Sequence, residues 1–120
     1  MNIQKRMLEA IEEELQTQVA RLDQPRTKQF HEMLTYHMGW TGEGAGKEAT
    51  GKRIRPMMVL LAAASTGADW KAALPAAAAI EMVHNFSLVH DDVQDNSDRR
   101  RGRLTVWKIW GIPMAINVGD

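Results

Sequence analysis

The sequence contains no cysteine, which excludes a disulfide framework and any thiolate metal site. Packing alone must hold the fold, as suits a reducing, cytoplasmic setting. It also lacks a charge bias: 15 Lys plus Arg stand against 15 Asp plus Glu. A protein that works by blanketing nucleic acid or an anionic membrane with positive charge is therefore not expected. The stretch from Met1 to Ala20 has no continuous apolar run and carries Glu9, Glu12, Glu13 and Glu14. It reads as neither signal peptide nor membrane span, and no stable membrane anchor is expected. No alternating strand pattern of useful length and no internal repeat occur. Finally, 120 residues make one domain at most, too little chain to enclose a large substrate unless it is part of something larger.

What is present favours helix. Hydrophobic residues make up 44% and charged residues 25% of the chain, an ordinary globular balance rich in alanine. Ile3, Met7, Leu8, Ile11, Leu15, Val19 and Leu22 recur at threes and fours, the stripe of an amphipathic helix ending before Pro25. Phe30, Met33, Leu34 and Met38 mark a second, shorter helix that stops at Gly39. Residues 1–38 thus form packing helices. Residues 39–51 form a Gly-rich loop, and residues 52–120 carry the charged motifs. From Pro56 the run Met57 to Ala64 has no polar face, so a helix there is expected to be buried on all sides. Pro75 opens the longest helical candidate, to about Asp95. A last pattern, Thr105 to Asn117, is expected to be helical, bent or broken by Gly111 and Pro113.

The chemistry concentrates at His90-Asp91-Asp92-Val93-Gln94-Asp95. Three carboxylates so close repel one another unless cations neutralise them. On a helix, Asp91 and Asp95 lie about 40° apart and about 6 Å along the axis, so both reach one ion or two adjacent ions. All-oxygen ligands suit hard cations, Mg²⁺ above others. An EF-hand loop is excluded by its missing Gly and Glu. Taken alone, such a string equally describes a solvated acidic helix end, yet that placement opposes the helix dipole. Arg99, Arg100, Arg101 and Arg103 follow at once, and guanidinium groups grip phosphate oxygens in a fork. A second basic cluster, Gly51-Lys52-Arg53-Ile54-Arg55-Pro56, stands at a loop-to-helix entry that suits an anion. Gly46 to Lys52 has P-loop spacing, but Arg53 replaces the required Ser or Thr and no strand precedes it. His84 lies seven residues before Asp91, nearly on the same face and about 10 Å along the helix. His31, His37 and the four Trp read as ordinary packing residues.

These motifs in order, Gly51-Lys52-Arg53-Ile54-Arg55-Pro56, His84, Ser87 to Asp95, Arg100-Arg101-Gly102 and Ala115 to Asp120, resemble the trans-isoprenyl diphosphate synthases, or polyprenyl synthetases, over roughly residues 45 to 120. The resemblance implies an all-α fold, the N-terminal helices of an isoprenoid-synthase-type bundle. It also implies a trans-prenyltransferase that condenses isopentenyl diphosphate with an allylic diphosphate, and a homodimer when complete. It gives Asp91 and Asp95, with Asp92 in support, to Mg²⁺ against the allylic diphosphate, and Arg100 to that same diphosphate. Lys52, Arg55, His84 and Arg101 go to the diphosphate of isopentenyl diphosphate. It sets Phe86 and Ser87 at the floor of the chain-length pocket, and one bulky plug suggests geranylgeranyl over farnesyl diphosphate as product. Straight-helix arithmetic puts Phe86 about 140° round from Asp91, so only the resemblance carries that assignment.

Leu104 and Trp107 depart from the family's common Pro and His. More consequentially, the family's second aspartate-rich motif has no counterpart, since Asp120 is the only acid after Asp98. An incomplete, inactive piece is therefore expected. A class I terpene cyclase handles one diphosphate and has no evident need of the cluster at Lys52 to Arg55, while a non-catalytic partner subunit of a complete synthase remains an alternative.

Overall fold

The computed structural model describes residues 2–120. Its regular structure there is helical, apart from one hairpin of two-residue strands. Helix α1 (Ile3–Ala20) starts where the Asn2 side-chain oxygen accepts from the Lys5 N–H at 2.8 Å, a cap that satisfies one orphan donor of the first turn. Its buried residues Met7, Ile11, Leu15 and Val19 each follow by four, while Ile3 and Leu8 at the stripe's edge stay exposed. Helix α2 (Lys28–His37) ends into Gly39, whose φ is +87°. A Cβ there would lie 2.5 Å from the Ala49 carbonyl carbon, so this position admits only glycine. The expected loop 39–51 is interrupted by one helical turn, α3 (Lys47–Thr50).

Helix α4 (Ile54–Ser65) corrects one expectation. Its Pro56 and Leu60 are buried, but Ile54, Met58 and Leu61 are exposed at 57%, 63% and 39%. It packs against α1, the 3₁₀ turn Trp70–Ala73 and the long helix α5 (Leu74–Gln94) on one side only. Among the described residues nothing covers the opposite face, and an apolar run dictates burial only when partners exist to supply it.

Helix α5 is the axis of the molecule. Pro75 sits in its first turn, where the missing N–H costs nothing. Ala77 and Ala78 are buried and let α1 approach closely. Further along, Glu81, Asn85, Val89 and Asp92 continue the same buried stripe. By length and composition α5 with the preceding turn is apolar enough to cross a membrane. Its buried polar groups are nonetheless all matched by protein partners.

After α5 the chain makes a hairpin, β1 (Arg99–Arg100) against β2 (Arg103–Leu104), antiparallel with Arg100 opposite Arg103. Its two turn residues, Arg101 and Gly102, both have positive φ, +52° and +78°, the geometry of a tight two-residue hairpin. Helices α6 (Val106–Trp110) and α7 (Ile112–Gly119) follow, separated at Gly111 as the sequence predicts. They close a second core around Val89, Val106, Ala115 and Val118, while the first gathers α1, α2, α4 and the start of α5.

Candidate functional site: two charged clusters along one helix

The first cluster is a cavity of about 500 Å³ between α3, the start of α4, the middle of α5 and the hairpin turn. Lys52, Arg55, His84 and Arg101 all line it, so side chains from three separate stretches of the sequence meet at one place. Lys47 and Arg53 add positive charge; Glu48 and Glu81 are the only acids in its wall. Each basic side chain has a structural reason to face inward. Arg53 precedes α4 in the left-handed region (φ +54°), an uncommon conformation for a residue with a Cβ. The resulting kink sets Lys52 and Arg55 on either side of it. Arg101 occupies the left-handed position of the hairpin turn and reaches across to donate from Nη1 to the Ala49 carbonyl at 3.1 Å. Its guanidinium lies over Gly51, where a Cβ would come within 2.8 Å of Nη2.

Arg53 itself is not a free cation. At 3% exposure it donates from Nε and Nη2 to Glu12 at 3.0 and 2.9 Å, and from Nη1 to Glu81 at 3.0 Å. Burial opposes its charge, but the hydrogen bonds and proximity of Glu12 and Glu81 prevail and hold its pKa above the usual arginine value. Glu12 is correspondingly lowered: burial alone would raise it, and the bonds from Arg53 and the Trp40 indole outweigh that. The chain of contacts continues inward. Asn85 donates from Nδ2 to Glu81 at 2.9 Å, and its Oδ1 lies 3.1 Å from the His37 ring. Since Asn85 Nδ2 also donates to the Glu81 carbonyl, its oxygen faces His37 and accepts from Nε2–H. Burial, followed by the nearby Arg101 and Arg100, pushes the His37 pKa down to about 3.

At His84, burial and then Arg55 lower the pKa, and the ring Nε2 stands 3.2 Å from Arg55 Nη1. At Arg101, burial and then Arg53 and Arg100 lower the pKa. Cations crowd this cavity, and it holds no free acid to balance them except Glu48.

The second cluster lies at the C-terminal end of α5. Asp91 and Asp95 are exposed, one turn apart, and Asp92 is turned inward at 3% exposure. Arg100 grips Asp92 with two donors, Nε at 2.9 Å and Nη2 at 2.7 Å. That hydrogen bond, opposed by burial, holds Arg100 above the usual arginine value. The three aspartates therefore divide: two carboxylates face solvent and one anchors the hairpin. Among the described residues no three carboxylate or histidine groups converge into a closed metal cage.

Phe86 packs against the first core, and Ser87 is exposed, donating to the His84 carbonyl at 2.6 Å. The remaining arginines of the basic run scatter. Arg99 donates to Gly102 O. Arg103 lies 3.9 Å over the Tyr36 ring and donates to the carbonyls of Tyr36, Thr41 and Glu43, which fastens the Gly-rich loop to the hairpin. Arg53 and Arg103 are the residues that sequence reasoning missed as individuals. The signal for Arg53 was Glu81, a lone acid within the apolar run Ala76 to Val83 that demands a buried cation.

Residues 45–120 match the polyprenyl synthetase family. The chain belongs to that family. A (2E,6E)-farnesyl diphosphate synthase of Mycobacterium tuberculosis is 48% identical over 91 residues, covering 73% of this chain and 25% of that protein. A short chain isoprenyl diphosphate synthase of Methanocaldococcus jannaschii is 39% identical over 120 residues, covering 100% of this chain and 32% of that protein. Among solved structures, a geranylgeranyl pyrophosphate synthetase of the archaeon Geoglobus acetivorans superposes with a TM-score of 0.82 at 36% identity, over 99% of this chain and 35% of that one. The chain thus spans about a quarter to a third of the length of the polyprenyl synthetases it matches.

Proposed function

We propose that this chain is the diphosphate-binding part of a trans-prenyltransferase that condenses isopentenyl diphosphate with an allylic diphosphate to a short-chain prenyl diphosphate, geranylgeranyl or farnesyl. The observation that carries the reading is the meeting of Lys52, Arg55, His84 and Arg101 in one cation-rich cavity beside a helix that ends in two solvent-facing carboxylates. In this reading the cavity takes the diphosphate of isopentenyl diphosphate, and Phe86 and Ser87 lie at the chain-length pocket. Arg100, already fixed by Asp92 through Nε and Nη2, presents its remaining N–H donors to the allylic diphosphate.

Asp91 and Asp95 fit Mg²⁺: they are all-oxygen donors, exposed and uncommitted to any partner cation, and such a pair leaves the other positions to water and phosphate oxygens. Bound there, Mg²⁺ would neutralise an allylic diphosphate and stabilise the charge growing on it as it leaves. The chain's own part is to hold both diphosphates at a fixed separation along α5, so that the alkene of one meets the allylic carbon of the other. The complete enzyme is read as a cytoplasmic homodimer. Nucleic acid is no part of the reading, since the arginines at 99–103 turn to different partners and an acidic cluster adjoins them.

The test is to incubate the purified chain with Mg²⁺, isopentenyl diphosphate and farnesyl diphosphate, then seek elongated prenyl alcohols by mass spectrometry after phosphatase treatment. Product from the chain alone would mean a full site assembles across copies. Activity only when downstream helices are supplied is the expected result. Absence of Mg²⁺-dependent diphosphate binding to either preparation would overturn the proposal. A non-catalytic partner subunit, favoured by the single aspartate cluster, would bind diphosphate yet add nothing to turnover.

A further inference from the structure

The contact between Arg55 and His84 fixes a protonation state. A guanidinium carries donors only and has no lone pair to offer, so at 3.2 Å from Arg55 Nη1 the His84 Nε2 must accept. The ring is then neutral, with its proton on Nδ1. A protonated ring would set N–H against N–H, and a second positive charge against Arg55.

The surroundings reinforce this. Arg55 faces His84 from α4, Lys52 and Arg53 from the segment before it, Arg101 from the hairpin turn, and Lys47 and Glu48 from α3 across the cavity. On its own helix Glu81 lies one turn back, but that carboxylate is held by Arg53 and Asn85. The free cavity is therefore a place where an imidazolium is disfavoured, in keeping with the lowered pKa of His84 caused by burial and then Arg55.

An arriving diphosphate reverses the sign of the field. Resting on the diphosphate reading of this cavity, we infer that His84 is a proton-loaded anion switch: a neutral acceptor for Arg55 when the cavity is free, an imidazolium donor to phosphate oxygen when it is filled. Arg55 Nη1 transfers its hydrogen bond from Nε2 to a phosphate oxygen. The released Nε2 lone pair takes one proton from water or a buffer acid, and the new N–H donates to a second phosphate oxygen. One N–H bond forms, the solvent acid loses that proton, and no electron changes hands. Binding thereby takes up a proton, and affinity rises as pH falls towards the pKa of the free ring.

The experiment follows the imidazole nitrogens of His84 by NMR in the ¹⁵N-labelled 120-residue chain, with inorganic diphosphate and, separately, sulfate as probes. In the free chain the ring is expected as the Nδ1–H tautomer, titrating below the ordinary histidine value. Saturating diphosphate is expected to raise the midpoint by about one unit or more and to give an imidazolium at neutral pH. Sulfate, whose charge is constant across the neutral range, is expected to bind several-fold tighter at about pH 6 than at about pH 8. His84→Gln should bind sulfate more weakly than the wild type at about pH 6 and with no such dependence on pH. An Nε2–H tautomer in the free chain overturns the inference. So does diphosphate that shifts the Lys52 and Arg55 amide signals but leaves the His84 ring neutral, an outcome under which the diphosphate site itself stands. If no cavity signal responds to diphosphate, the site reading falls and the switch with it.

Discussion

Asp92 and Arg100 are bound through two donors of one guanidinium, with the Asp92 side chain 4% exposed and the Arg100 side chain 30% exposed. This one pair holds the hairpin against α5 and leaves Asp91 and Asp95 pointing outward. Asp92→Ala would strand a half-buried guanidinium, and solvent at Arg100 moderates the loss to about 1–3 kcal/mol. Asp91→Ala should leave stability within about 0.5 kcal/mol, because the exposed Asp91 side chain makes no hydrogen bond or ion pair among the described residues. Urea denaturation of both variants, read beside Mg²⁺-dependent diphosphate binding, separates the roles. Equal stability losses at the two positions would contradict the division.

Gly51 is required for a different reason. Its φ is +80° and the Arg101 guanidinium fills the space a side chain would take. Gly51→Ala therefore meets both backbone strain and displacement of Arg101, at a cost of about 1–2 kcal/mol. Weaker diphosphate binding than the wild type at matched folded fraction is the expected outcome, measured by isothermal titration calorimetry. Unchanged affinity would show that the seat of Arg101 does not matter to the cavity.

How legible all this was depends on the range of the interaction. Periodicity located α1 and α2, because a stripe such as Met7, Ile11, Leu15 and Val19 is written within one helix, and Pro75 with the alanines after it marked α5. Charge spacing located Asp91, Asp95 and His84 for the same reason. The hairpin at 99–104 escaped, since two-residue strands have no alternation to read. Arg53 and Arg103 escaped because their partners lie far off in sequence: Glu12 and Glu81 for one, the carbonyls of the Gly-rich loop for the other. The burial expected of α4 failed on its premise, since an apolar face states only what it would prefer to touch. Asp92 shows the limit most sharply: adjacent, chemically identical residues took opposite roles through the 100° that separates them on the helix.

His37 gives the fold a pH dependence. Its folded pKa of about 3 lies below the ordinary value of 6.5, so below that ordinary value the unfolded chain takes up a proton that the folded one refuses. Stability should be level above it and fall as pH drops, by up to about 1.4 kcal/mol per unit. His84, also lowered, acts in the same direction. Glu12 loses its contribution only at more acid pH. The urea midpoint followed from about pH 7.5 to about pH 5 should therefore decline in the wild type and flatten in His37→Gln, whatever the absolute stability of that variant. Parallel slopes in the two proteins would mean that His37 is not held neutral by its burial.

Arg53 is expected to be the most sensitive position in the chain. It pairs with both Glu12 and Glu81, and the Glu81 side chain is 4% exposed against 26% for Glu12. Arg53→Met leaves Glu81 charged, buried and served only by Asn85, a loss of about 3–5 kcal/mol. Glu81→Gln keeps an acceptor for Arg53 and for Asn85 while removing the charge, and should cost less. Glu12→Gln should cost least, because water reaches that end of the network. Arg53→Lys retains charge but lacks the fork that bridges two carboxylates, which places it between Arg53→Met and the wild type. The order of the four urea midpoints is the measurement. A midpoint for Arg53→Met no lower than that for Glu12→Gln would mean that the network adds nothing beyond its solvent-facing half. The kink at φ +54° that turns Lys52 and Arg55 into the cavity would then need another cause.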